Sequence, residues 1–387
     1  MLQHRANDFR SAGHPAATGA RGVRLLAWNA LSPEEEAAWN ELGRTAETPS
    51  VFAEPWLMRR SLRHCDPGAR ARLAVVEQCG EWLGVLPVVG VPRQGRAPVP
   101  AWTAWSHPNQ FTGAPLVRAG QAEAFWDGLL AGLARHGPDR VALTLGQLPA
   151  DDPVTTALLA LCESRGRKLA IDRRAERACL DARPGAEAPD PGSKQRSRLR
   201  GLERKLAAEL GEVAFAVDRD PARTTAALDR FLELEQSGWK GRAGSALACA
   251  DATRSFFLDV ARAAAAKGRL EVATLSAGGK TVAMATQLVG EDRTYGFKSA
   301  YDEDLAACAP GLLLLDRLTR YYVERGCGEV DSCAMPGQQP VSRMWPGRRE
   351  LIDCRVALGG TLRARAFAAM LACESAAHSV KALWHKP

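Results

Sequence analysis

The residues with the most chemical content lie between positions 233 and 348. Residues 294–315 read TYGFKSAYDEDLAACAPGLLLL. A strand-like run carrying Lys298 ends at Tyr301, and Pro310–Gly311 then opens an apolar helix that continues through Leu312. Proline suits a first helical turn because its missing N–H would have no intrahelical partner. The glycine beside it lets another group approach the exposed amides. A helix start of this kind can hold a phosphate, or it can be an ordinary strand–loop–helix joint. Residues 233–245, ELEQSGWKGRAGS, set Trp239, Lys240 and Arg242 among Gly238, Gly241, Gly244 and Ser245. Mobile backbone beside a large contact surface is typical of loops that close over ligands. Asp331 ends an apolar run, where a buried carboxylate needs either a partner or a function. Lysine is scarce, 9 against 42 arginines, yet Lys240 and Lys298 both fall in these stretches. A compact ammonium suits an oxyanion or phosphate oxygen without requiring the planar fork of arginine.

The elements needed to position these residues are legible around them. Ser32, Pro33 and Glu35 form a capping-box start for a helix over 32–44. Strands are expected at 72–78, 82–89 and 140–146, with helices at 121–136 and 151–166. Residues 181–193, DARPGAEAPDPGS, hold three prolines and two glycines and read as a boundary. A second unit follows, with a helix at 193–210, a strand at 212–217 and helices at 221–237 and 251–267. Strands at 269–275, 280–289 and 293–299 come next, then a helix at 310–325 and strands at 328–333 and 349–358. Three consecutive strands flanked by helices indicate an α/β chain with a mixed sheet covered by helices. The expected division is a flexible tail over 1–22, an N-terminal domain over 23–182 and a C-terminal domain over 190–387.

Composition excludes several classes. The chain has 387 residues, 46% hydrophobic and 25% charged, a globular balance. Its net charge is +7, and five of those charges lie in residues 193–205, SKQRSRLRGLERK. A DNA-binding surface would spread its charge more widely. Ten cysteines form no CxxC pair and seven histidines form no HxxxH pattern, so neither a disulfide framework nor a metal site is expected. There is no GxGxxG or GxxxxGK[ST] motif for a dinucleotide or nucleoside triphosphate. The N-terminus has no apolar signal or anchor, and residues 97–117 lack charge but carry four prolines, so they are not a membrane helix. A cytoplasmic protein is the expectation.

The order of several segments carries a family resemblance. ELEQSGWKGRAGSAL, then FF at 256–257, AKGRLEVATLSAGGKTVAM, YGFKSAYDEDLAACAPGLLLL, DSCAMP and SRMWPGRR resemble the FemAB-like branch of the GNAT-type acyltransferases. Within it they resemble the CelD/BcsL group of acetyltransferases involved in cellulose biosynthesis. The likeness covers residues 190–350, and more loosely the first half through FAEPW (52–56), VLPV (85–88) and WSHPNQFTGAPL (105–116). It implies two GNAT-like units with a cleft between them. Strands 293–299 and 328–333 would splay around acetyl-CoA or another acyl-CoA. Phe297 and Ser299 would lie along its pantetheine, and Pro310, Gly311 and Leu312 at its pyrophosphate. The usual phosphate loop, Arg/Gln-x-x-Gly-x-Gly/Ala, is replaced by AACAPGL (306–312). The implied reaction is direct acyl transfer to an amine or hydroxyl of a small molecule or saccharide, without a metal. Lys298 would help a backbone N–H stabilise the oxyanion, Asp331 or Glu235 would take the acceptor proton, and Tyr301 would serve the leaving thiolate. Trp239, Lys240 and Arg242 would line the acceptor side. The alternatives are an aminoacyl-tRNA donor, gripped by helix 194–205, and a non-catalytic accessory role in exopolysaccharide production.

Overall fold

The computed structural model describes residues 21–94 and 97–384. Apart from its last two residues, the expected N-terminal tail lies outside them. The strands are β1 (Gly22–Ala27), β2 (Arg72–Gln78), β3 (Glu81–Val91), β4 (Ala101–Ala104), β5 (Leu116–Val117), β6 (Ala142–Pro149), β7 (Leu169–Ala182), β8 (Val213–Asp218), β9 (Leu270–Ala277), β10 (Lys280–Val289), β11 (Arg293–Tyr301), β12 (Gly328–Asp331) and β13 (Gly347–Ala357). The helices are α1 (Pro33–Arg44), α2 (Pro55–Cys65), α3 (Ala122–His136), α4 (Pro153–Ser164), α5 (Gly192–Leu210), α6 (Pro221–Ser237), the single turn α7 (Trp239–Arg242), α8 (Asp251–Ala266), α9 (Pro310–Arg325), α10 (Val341–Met344) and α11 (Thr361–Trp384).

Local chemistry sets the helix starts. At α1, Ser32 Oγ accepts from the Glu35 amide (3.2 Å) and the Glu35 carboxylate accepts from the Ser32 amide (3.0 Å), which satisfies two otherwise unpaired donors. Asp220 accepts from the Ala222 and Arg223 amides to open α6. α9 starts at Pro310 directly after Ala309, which takes a left-handed conformation (φ 47°).

One mixed sheet runs through the molecule in the order β1-β2-β3-β4-β6-β13-β7-β12-β11-β10-β9-β8, with β5 paired to β3. Its halves repeat a pattern. In the first, antiparallel β1, β2 and β3 lead to β4, which lies parallel to β6 across the α3 crossover. In the second, antiparallel β8, β9, β10 and β11 lead to β12, parallel to β11 across the α9 crossover. The halves then exchange strands. β7, from the first half, pairs with β12, and β13, from the end of the chain, inserts between β6 and β7.

The second half is packed on both faces. On one face, α6 and α8 bury Phe231, Phe256 and Phe257 against Tyr295 and Phe297, joined by Phe52 and Leu57 from the first half. On the other, α5 and α9 bury Leu199, Leu206, Leu313 and Tyr322 against Leu275, Ala283 and Val330. Sidedness matters at the site because a ligand reaches β11 from a different direction on each face.

Candidate active site

Strands β11 and β12 are paired over three residues, Arg293–Tyr295 with Glu329–Asp331. At Gly296 the chains are still tight: a Cβ there would lie 2.7 Å from the Ser332 carbonyl oxygen. Beyond it they part. The Ser332 amide turns to donate to the Ala178 carbonyl on β7 (3.2 Å), while β11 runs on to Tyr301. The expected splay is therefore present, opening after Gly296.

A cavity of about 530 Å³ sits at the mouth of this gap, on the α5–α9 face. Tyr301, Gly311 and Leu312 line it together with Gln339, Arg198 and Arg343. Pro310 is buried at the helix start. Gly311 lies close against Tyr301: a Cβ there would come within 3.3 Å of the ring. The amides differ from expectation in one respect. Leu312 N–H donates to the Ala309 carbonyl (3.0 Å), so Leu312 contributes as wall and Gly311 is left as the amide facing outward. The two guanidiniums and the helix start give this end of the cavity the character of an anion site. Neither Arg198 nor Arg343 was singled out in the sequence, where both are ordinary members of arginine-rich runs.

A second cluster occupies the opposite face. β11 carries a bulge against β10, where Thr286 pairs with Lys298 and Gln287 with Gly296. The bulge leaves Phe297 unpaired and re-aims its neighbours, so Phe297 and Lys298 both meet the Phe111 ring. Lys298 Nζ donates to Asn109 Oδ1 (2.5 Å) and lies over the faces of Phe111 and Phe297. Burial, with Lys240 nearby, pulls its ammonium down to about 8. His107 is buried with no partner on either ring nitrogen. Burial first, and the Lys298 charge second, hold it down to about 4, so it is neutral at pH 7.

The Trp239–Arg242 turn splits its side chains. Lys240 points inward: its Nζ donates to Glu235 Oε1 (2.9 Å) and to the Ser299 carbonyl (3.0 Å). Glu235 Oε2 accepts from the Leu247 amide (2.8 Å). Trp239 and Arg242 face outward, and both are tied to Glu303 through the Trp239 amide and the Arg242 guanidinium. The turn depends on Gly241, where a Cβ would fall 1.7 Å from the Gln236 carbonyl oxygen.

Asp331 does not face the cleft. It is fully buried, accepts from Arg177 (2.6 Å) and from the Cys333 amide (2.9 Å), and has Arg349 at 3.6 Å. Its carboxylate is thus committed to the joint between the half-sheets, and the expectation that it takes the acceptor proton has no geometric support. Cys333 is buried beside it, and burial together with Asp331 pushes its thiol well above the usual range, as a non-nucleophilic cysteine requires. The structure thus gathers Lys298, Glu235, Lys240 and Phe297, with the Ser299 carbonyl, on one side of β11, and Tyr301, Gly311 and Leu312 on the other. His107 and Asn109 were missed as site residues. Both lie in the uncharged segment 97–117, in which His, Asn, Gln and Thr stand among prolines, and in the WSHPNQFTGAPL stretch that carries part of the family resemblance.

Comparisons with known proteins bear on the fold and on one domain of the chain. Residues 193–340 match the family model for an acetyltransferase (GNAT) domain. No curated protein matches the chain in sequence. Similar folds occur in the C-terminal domain of a protein described as a lysylphosphatidylglycerol synthetase from Agrobacterium fabrum, at 16% identity and TM-score 0.50, covering 86% of this chain and 96% of that one. FemX is similar at 12% identity and TM-score 0.50, covering 84% and 96%. A conserved protein of unknown function from Bacteroides thetaiotaomicron shows 12% identity and TM-score 0.52, covering 84% and 97%. Residues 193–340 thus match a GNAT acetyltransferase domain, and the chain as a whole has a mixed α/β fold.

Proposed function

We propose that the protein transfers an acyl group, acetyl in the simplest case, from an acyl-CoA thioester to an amine or hydroxyl of a small molecule or saccharide. The observation that carries this reading is the opening of β11 from β12, with the cavity at the start of α9 on one face and Lys298 on the other. Arg198, Arg343 and the Gly311 amide suit a pyrophosphate, and the gap beside Phe297 and Ser299 suits an extended pantetheine. The acceptor then attacks the thioester carbonyl directly. The carbonyl oxygen becomes an oxyanion, which the Lys298 ammonium stabilises. Glu235 takes the acceptor proton, because it is the carboxylate facing Lys298 and it retains acceptor positions beyond its two hydrogen bonds. Tyr301, whose ring packs beside Gly311, lines the pyrophosphate end of the cavity. Trp239 and Arg242 line the entrance from the acceptor side. The exopolysaccharide role implied by the sequence resemblance corresponds to a sugar hydroxyl or amino sugar as acceptor.

Calorimetric titration with acetyl-CoA tests the donor. Binding that weakens at least tenfold in an Arg198→Ala/Arg343→Ala double variant is the expected result. No heat with the wild-type protein would remove acyl-CoA as donor and favour a non-catalytic role.

One observation favours an aminoacyl-tRNA donor as the second reading. Along α5, Lys194, Arg198, Arg200 and Arg204 are exposed, and none has a carboxylate partner among the described residues. These charges would contact phosphates, so RNA binding by this route weakens steeply with salt.

A further inference from the structure

We infer that Asn109, carried by the first half of the chain, is a positioning residue that holds Lys298 charged and aimed for the transfer step. This rests on the role given to Lys298 above. Three observations support it.

The first is the set of groups around Lys298. From α6, Glu235 faces it, but that carboxylate is already bonded to Lys240 and to the Leu247 amide. From the turn after α6, the Lys240 ammonium repels it. The residue after the end of β12 that faces it is the Cys333 thiol, and the segment above it supplies the His107 imidazole. Both are neutral. Among the described residues Lys298 has no carboxylate partner of its own. Its one hydrogen-bond acceptor is Asn109 Oδ1, across 189 residues of sequence.

The second is chemical. An amide oxygen can accept from an ammonium but carries no charge. It therefore fixes the direction of Nζ and favours the protonated form without neutralising it, as an oxyanion donor requires.

The third is how firmly Asn109 is held. The segment His107–Thr112 is bound at several points. Arg177 donates to the Phe111 carbonyl (2.6 Å). The end of the Gln147 carboxamide lies 3.1 Å from the Phe111 carbonyl and 3.2 Å from the Gln110 carbonyl, so its nitrogen, turned toward them, can donate to both. Ser50 and Thr112 share a hydroxyl hydrogen bond (3.1 Å). Arg177 is itself fixed by Asp331, and the Gln147 amide by Asp353 on β13 (2.7 Å). The exchanged strands of both halves thus converge on the segment that presents Asn109. Asp331 acts through this chain of contacts.

The test combines two readouts on the full-length protein. Lysine Nζ titration is followed by NMR, with the Lys298 signal assigned by its loss in Lys298→Met. Asn109→Leu should lower the Lys298 midpoint by at least one pH unit. The isosteric Asn109→Asp, which supplies a full counter-charge, should raise it by at least one unit. In acetyl transfer, Asn109→Leu should lower kcat at least tenfold, leave KM for acetyl-CoA within twofold, and move the basic limb of the pH profile downward. A Lys298 midpoint unmoved in both variants, each folded by circular dichroism, overturns the inference. A midpoint that moves while kcat does not would instead overturn the oxyanion role of Lys298 on which the inference rests.

Discussion

Among single residues, His107 and Lys298 are basic groups whose charged form burial strongly disfavours. His107 sits between Trp105 and Phe256, and neither ring nitrogen has a partner. With a value near 4 when folded and near 6.5 when unfolded, it binds fewer protons in the native state between those limits. Stability therefore rises with pH across that window and is lost as pH falls through it. Between pH 7 and pH 5 this one residue costs the wild-type protein about 2 kcal/mol. Denaturant unfolding at both pH values checks it: His107→Phe should lose correspondingly less stability on acidification, and an equal loss would show that the ring is not desolvated. Lys298 was legible in the sequence because lysine is rare here and falls in a strand that leads to Pro310–Gly311. His107 and Asn109 were not, because their roles depend on contacts between the halves that no local pattern announces. Tyr301 ends β11, whereas Tyr295 and Tyr322 are buried packing residues.

Elements with a clear period or cap were readable, and elements stabilised from outside were not. The helices at 221–237 and 310–325 fall where their caps and apolar positions put them. β7 was missed. Its sequence, LAIDRRAERACLDA, has no clean alternation of apolar and polar residues. It forms because it lies between β13 and β12, and its charges are met across the strands: Arg173 by Asp353, Arg174 by Glu350, Asp172 by Arg355 and Arg177 by Asp331. The last pair differs in kind because it is buried. Removing one partner of a buried pair leaves an uncompensated charge and costs about 3–5 kcal/mol. Arg177→Leu should lose about that much in urea unfolding, and Arg177→Leu combined with Asp331→Leu should recover part of it. A single variant as stable as wild type would show that this pair does not brace the joint. β1, α2 and α11 were also unassigned in the sequence. α2 opens at Pro55 without a side-chain cap bond, and it packs through Leu57 onto the aromatic core shared by both halves.

At the scale of the whole molecule, two runs of mixed elements were legible on either side of the proline-rich stretch at 181–193. Their exchange was not. Nothing local in residues 347–357 says that this strand inserts between β6 and β7 rather than closing the second half. The pairing is decided by the complementary charges of β7 and by the unsatisfied edge of β6. The exchange matters for function because it makes the acceptor-side roof, Asn109 included, part of the same frame as the splayed strands. Under the proposed function the donor would approach from the α5–α9 face, and the acceptor from the face covered by the first half, with the gap beyond Gly296 between them. A crystal structure of the protein with bound acetyl-CoA tests this most directly. The expected result places the pyrophosphate beside Gly311 with Arg198 and Arg343 around it, the pantetheine in the opening between β11 and β12, and the thioester carbonyl oxygen within hydrogen-bond distance of Lys298 Nζ. Acetyl-CoA bound elsewhere, or bound with its thioester remote from Lys298, would contradict it.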